Sequence, residues 1–99
     1  MDLKALKEKV LSDCPPGKAF WTCHGSVVRN IYELVDFIRT HNEWVFRYHV
    51  NSDNNKNDFA KWIFEVLADE ELAARLFKVL DKDRYVDIIE QRIHELEYS

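Results

Sequence analysis

Phe59, Trp62, Ile63, Val66 and Leu67 fall at i, i+3, i+4, i+7 and i+8. This spacing sets all five on one face of a helix with 3.6 residues per turn. It predicts a helix entered at Asn57 or Asp58, whose short side chains can accept a bond from an otherwise unpaired amide. Leu72, Ala73, Leu76, Phe77 and Leu80 form a second stripe, capped by Asp69. Glu70 and Glu71 then lie in a first turn, where the helix dipole favours negative charge. Tyr85, Ile88, Ile89, Ile93 and Leu96 predict a last helix over 82–97, opened by Asp81 or Asp83.

Upstream, Ile31, Leu34, Val35 and Ile38 follow Asn30, with Glu33 three residues after the cap as in a capping box. Leu3, Leu6, Val10 and Leu11 predict an amphipathic helix over 2–12. Asp13-Cys14-Pro15-Pro16-Gly17 must end it, since a proline pair cannot continue a helix. Residues 43–50 fit neither period cleanly and are read as a short helix capped by Asn42. Between 18 and 29, Phe20-Trp21-Thr22-Cys23 and Val27-Val28 flank His24-Gly25, which predicts a β-hairpin. Asn51-Ser52-Asp53-Asn54-Asn55-Lys56-Asn57 reads as a loop, because Asn and Asp side chains bond to nearby backbone. The expected fold is mainly α, a compact bundle of about five helices with a short N-terminal hairpin, in one domain over 1–99.

Composition narrows the classes. The 99 residues are 46% hydrophobic and 32% charged, a globular balance. Two glycines and two prolines are few for a sandwich or barrel. No window approaches the ~18 apolar residues of a membrane span. The first residues, Met1-Asp2-Leu3-Lys4, lack the apolar run of a signal peptide. Two cysteines, Cys14 and Cys23, are too few for a disulfide scaffold, so reduced thiols and a cytoplasmic location are expected. The net charge is −4, and no Lys/Arg cluster offers to neutralise phosphates. Neither nucleic acid nor an anionic membrane is expected as a partner.

Chemical signatures are sparse. Cys14, Cys23, His24, His41, His49 and His94 lack the paired spacing of a zinc site. Asp53, Asn55 and Asn57 match the first ligand positions of an EF-hand loop. The required glycine is then Asp58 and the required bidentate glutamate is Phe64, so calcium is not expected. No glycine-rich phosphate cradle and no nucleophile motif occurs. Neither metal nor cofactor nor catalytic residue is expected.

The stretch from Phe20 to about Leu76 resembles an uncharacterised prokaryotic domain family. The resemblance rests on His24-Gly25, Asn30-Ile31-Tyr32-Glu33-Leu34, Phe46-Arg47-Tyr48-His49-Val50-Asn51, Asn57-Asp58-Phe59-Ala60-Lys61-Trp62-Ile63 and Asp69-Glu70-Glu71-Leu72-Ala73. It implies a helical fold and no particular reaction, and leaves the first and last helices outside. It singles out His49, Asn51, Asn57, Asp58 and Trp62. Their side chains can tie two helices together around the asparagine loop: His49 bonding to backbone or Asp58, Asn51 and Asn57 satisfying loose backbone groups, Trp62 closing the core. The alternative is a polar pocket of His49, Asn51, Asn57 and Asp58 that holds a small ligand or metal and makes the domain regulatory.

Aromatic residues are plentiful. Tyr32, Phe37 and Phe64 lie off the apolar stripes of their helices and are the candidates for an exposed patch against a protein partner or a second copy. The expected function is a non-enzymatic protein-interaction or adaptor module.

Overall fold

The computed structural model describes residues 2–99. Helix α1 spans Leu3–Val10 and starts where Asp2 accepts a 2.8 Å bond from the Ala5 amide. A single 3-10 turn, Pro16–Lys18, leads to the expected hairpin, β1 (Phe20–Trp21) and β2 (Val27–Val28). These strands pair antiparallel, with Phe20 opposite Val28 and Trp21 opposite Val27. Gly25 closes the turn at φ +83°, a conformation that a Cβ makes costly.

Helix α2, Ile31–Thr40, begins where Asn30 accepts from the Glu33 amide at 2.8 Å. The Glu33 carboxylate reaches back to the Arg29 amide, one residue beyond the capping-box position. Helix α3, Glu43–His49, is capped by Asn42, whose side chain accepts from Val45 at 3.1 Å. Helix α4, Asp58–Trp62, is capped by Asn57 and widens without a break into a π-helical turn, Ile63–Leu67. Helix α5 spans Glu70–Leu76 and α6 spans Lys82–Glu97, capped by Asp69 and Asp81. Among the described residues, the α-helices number six rather than about five.

Three expectations need correction. The asparagine segment is a second hairpin rather than a plain loop: β3 (Val50–Asn51) pairs antiparallel with β4 (Lys56–Asn57). Its strands are two residues each, too short to print an alternating pattern, and Asn55 turns the tip at φ +50°. The stripe from Leu72 to Leu80 does not continue as helix: α5 stops at Leu76, and Lys78 takes φ +68°. That leaves Phe77 and Leu80 outside the helix and exposed. Phe37, expected on an outer patch, is 6% exposed. Its ring packs 4.2 Å from His41 and 6.3 Å from Phe59, so α2 buries a wider face than its stripe shows.

The core gathers where α2 and α5 pack on α6. Ile31, Leu34, Ile63, Leu72, Leu76, Tyr85, Ile89 and Leu96 are fully buried there. Phe46, Phe59 and Tyr85 form an aromatic cluster, with ring centroids 5.2–6.4 Å apart. Burying each such side chain contributes roughly 1.5–3 kcal/mol before entropy is counted.

Candidate functional site

His49 ends α3, and the chain turns there into β3. Its ring is buried, with Phe20, Tyr48 and Phe59 at centroid distances of 5.0–5.2 Å. Nε2 accepts a 3.1 Å bond from the Cys23 amide in the first hairpin. An amide can only donate, so the ring proton sits on Nδ1 and is donated to Asp58 Oδ2 at 2.9 Å. Burial pushes the imidazole pKa below its ordinary 6.5; the Asp58 carboxylate pulls it upward and Lys56 adds a smaller downward push.

The structure thus brings His49 and Asp58 together as an orienting carboxylate and a base would be. The nitrogen that would do proton transfer faces a backbone amide instead of a cleft. Lys56 closes the other side: its ammonium is 3.4 Å from Asp58, donates to the Tyr48 carbonyl at 2.7 Å, and lies 4.1 Å from the Tyr48 ring centre.

Asn57 is equally committed. Its Oδ1 accepts from the Ala60 amide at 3.2 Å and from the Tyr85 hydroxyl at 2.6 Å, while Nδ2 donates to the Leu76 carbonyl at 3.0 Å. One side chain therefore joins α4, α5 and α6. Asn51 donates to the Arg47 carbonyl at 2.8 Å and accepts from the Asn54 amide at 2.9 Å, closing α3 and shaping the hairpin tip. The Trp62 indole donates to the Lys18 carbonyl at 2.8 Å. Among the described residues, no buried side-chain nitrogen or oxygen lacks a partner.

Cys14 and Cys23 are free thiols, and Cys23 is exposed. The rings of His24 and His41 stand 4.8 Å apart, edge to face. Among the described residues, no group of three or more His, Cys, Asp and Glu side chains is placed to hold a metal ion.

The open feature lies elsewhere. A groove of about 520 Å³ runs between α4 with its π turn and α5. Ala60, Ala73 and Ala74 line it with little bulk, and Phe64 and Phe77 border it at 52% and 66% exposure. The groove continues past Phe77 toward Lys78 and Leu80 on the second hairpin's side, where a further hollow shares Asn55, Asn57 and Phe77 with it. Of the expected patch residues only Phe64 lies on this groove; Tyr32 is 39% exposed and bonds to Glu97 at 2.8 Å.

Two features escape the sequence pattern. Periodicity puts Phe77 on the apolar stripe of α5, whereas its side chain stands exposed beyond the helix end. Arg92, on the same face of α6 as Ile88, Ile89 and Leu96, pairs with the fully buried Asp69. A charged residue inside an apolar stripe was the available signal for that pair.

The fold and site define a small, mostly helical domain in which a histidine–asparagine–aspartate cluster locks two hairpins to the helices. The chain belongs to a family of unknown function, DUF5752, whose model matches residues 19–98. The match takes in α6, which the sequence motifs had left out. No curated protein and no solved structure matches the chain. Among the described residues, no helix is long and apolar enough to cross a membrane.

Proposed function

We propose that this domain is a non-enzymatic interaction module and that the groove between α4 with its π turn and α5 is its binding face. One observation carries the reading: Phe64 and Phe77, two large apolar side chains, stand exposed beside a hollow lined by alanines. Leaving such surface in water forgoes the burial that stabilises a small domain, roughly 25 cal/mol per Å². The His49, Asn51, Asn57 and Asp58 cluster supports the reading by contrast. Its polar atoms hold the fold together, so a ligand there would first have to displace internal hydrogen bonds.

The test is selection of short random peptides on the wild-type domain. Selected peptides should lose binding to Phe64→Ser and Phe77→Ser and keep it to Trp44→Ser, which alters an exposed aromatic away from the groove. A selection in which no peptide senses either phenylalanine would sink the proposal.

A further inference from the structure

The polar residues around this groove do not share the charge of the whole chain. The chain carries −4. Along the groove and its continuation, the charged side chains are Lys56, Lys61, Lys78 and a single carboxylate, Glu70. Lys56 is spent on Asp58 and the Tyr48 carbonyl. Among the described residues, Lys61 and Lys78 pair with no carboxylate, and both are exposed. The Lys78 ammonium instead lies 5.6 Å from the Phe77 ring centre, so charge and apolar surface are presented side by side. Five of the six arginines are matched: Arg29 to Glu33, Arg39 to Glu90, Arg47 to Glu43, Arg75 to Glu95 and Arg92 to Asp69. Among the described residues, exposed Lys4, Lys9 and Lys18 pair with no carboxylate either, so what marks the groove is its local balance, two unpaired ammonium groups against the one carboxylate of Glu70.

From this charge arrangement we infer that the groove takes a short acidic amphipathic segment of another protein. Its apolar side chains would bury against Phe64, Phe77 and the alanines, while its carboxylates face Lys61 and Lys78. The inference rests on the groove being the binding face. Apolar burial would supply most of the affinity. The lysines would supply selectivity and speed of association, since exposed charges at the edge of an interface act mainly on partner choice and encounter rate. A basic segment would meet unpaired ammonium groups and be rejected by like charge.

The experiment uses two synthetic peptides built on one Phe64-dependent sequence from the selection. They share its apolar residues, and the flanking positions are all Glu in one and all Lys in the other. Isothermal titration at low salt should show the glutamate peptide binding about tenfold tighter than the lysine peptide. The preference should shrink as salt rises and should vanish or reverse in Lys61→Glu/Lys78→Glu, whose substitutions are on the surface. Equal affinities, or preference for the lysine peptide, with binding still lost in Phe64→Ser, would overturn the acidic-segment assignment and leave the binding face standing. If neither peptide's binding depends on Phe64, the binding face falls and this assignment with it. Light scattering reads the competing occupant. A wild-type dimer that Phe64→Ser dissolves would put a second copy in the groove and overturn the assignment.

Discussion

Arg92 holds Asp69 through two parallel hydrogen bonds, Nε to Oδ2 at 2.9 Å and an Nη to Oδ1 at 3.0 Å, in a site where Asp69 has no exposure. The same Oδ1 accepts from the Leu72 amide at 3.1 Å, so one carboxylate both starts α5 and ties it to α6. Glu95 extends the pair: it accepts from Arg92 and from Arg75, and the Arg75 bond holds its carboxyl below the usual range.

Breaking this pair from one side leaves a buried charge without its partner. Arg92→Met should therefore cost about 3–5 kcal/mol in urea unfolding. Asp69→Leu combined with Arg92→Met should recover most of that loss, short by about 1 kcal/mol for the missing helix cap. A double variant as unstable as Arg92→Met alone would show that the pair stabilises beyond its desolvation cost.

Asn57 and Tyr85 make a second test. Tyr85→Phe removes one bond to Asn57 and should cost about 1 kcal/mol. Asn57→Ala removes the cap of α4, the bond to the Leu76 carbonyl and the acceptor for the buried hydroxyl, and should cost about 2–4 kcal/mol. The two losses should not add, because each substitution already severs the shared bond. Strict additivity within error would contradict the 2.6 Å contact.

His49 gives the fold a pH dependence whose sign follows from its depressed pKa. The unfolded chain binds this proton near pH 6.5, whereas the buried ring resists it. The stability it contributes is present above pH 6.5 and is lost as pH falls through the lower folded-state pKa. A second proton on the ring also removes the acceptor that the Cys23 amide uses. His49→Gln does not titrate here, so the wild type should lose more stability than this variant between pH 7 and 5. Parallel stability profiles for the two proteins would rule this out.

Ala68 ends the π turn at φ +60°, a conformation that costs an L side chain about 1–2 kcal/mol and glycine almost nothing. After the added unfolded-state entropy of glycine, Ala68→Gly should stabilise the domain by about 0.5–1 kcal/mol. The urea midpoint is the readout, and an unchanged or lowered midpoint would count against a strained Ala68.

The helix starts were legible because each depends on local chemistry. Asn30, Asn42, Asn57, Asp69 and Asp81 all bond the amide that their positions predicted. The local bonds of Asn51 and Asn57 were legible for the same reason: short polar side chains at helix ends find nearby backbone. His49 takes Asp58, one of its expected partners, but the Cys23 amide lies 26 residues away and the Leu76 carbonyl 19 from Asn57, beyond the reach of local pattern. The end of α5 was hidden. Phe77 and Leu80 keep the helical spacing, and Lys78 takes the left-handed turn where a glycine would have announced the stop. The π turn left no mark, since the stripe from Phe59 to Leu67 reads as an unbroken α-helix. Periodicity already sets Phe64 off its stripe, but the early end of α5 puts Phe77 in the open beside it, so the groove that the two share could not be read from spacing alone. Nor could the pairing of Asp69 with Arg92, whose partners lie 23 residues apart.

The bond from the Trp62 indole to the Lys18 carbonyl crosses a border. The family match begins at residue 19, one residue past that acceptor, and Val10 of α1, fully buried in the core, lies further outside it. The family match and the packed core therefore draw different outlines around this molecule. A polypeptide trimmed to the matched residues would retain every strand of both hairpins, yet would strip the Lys18 acceptor from Trp62 and remove Val10 from the core.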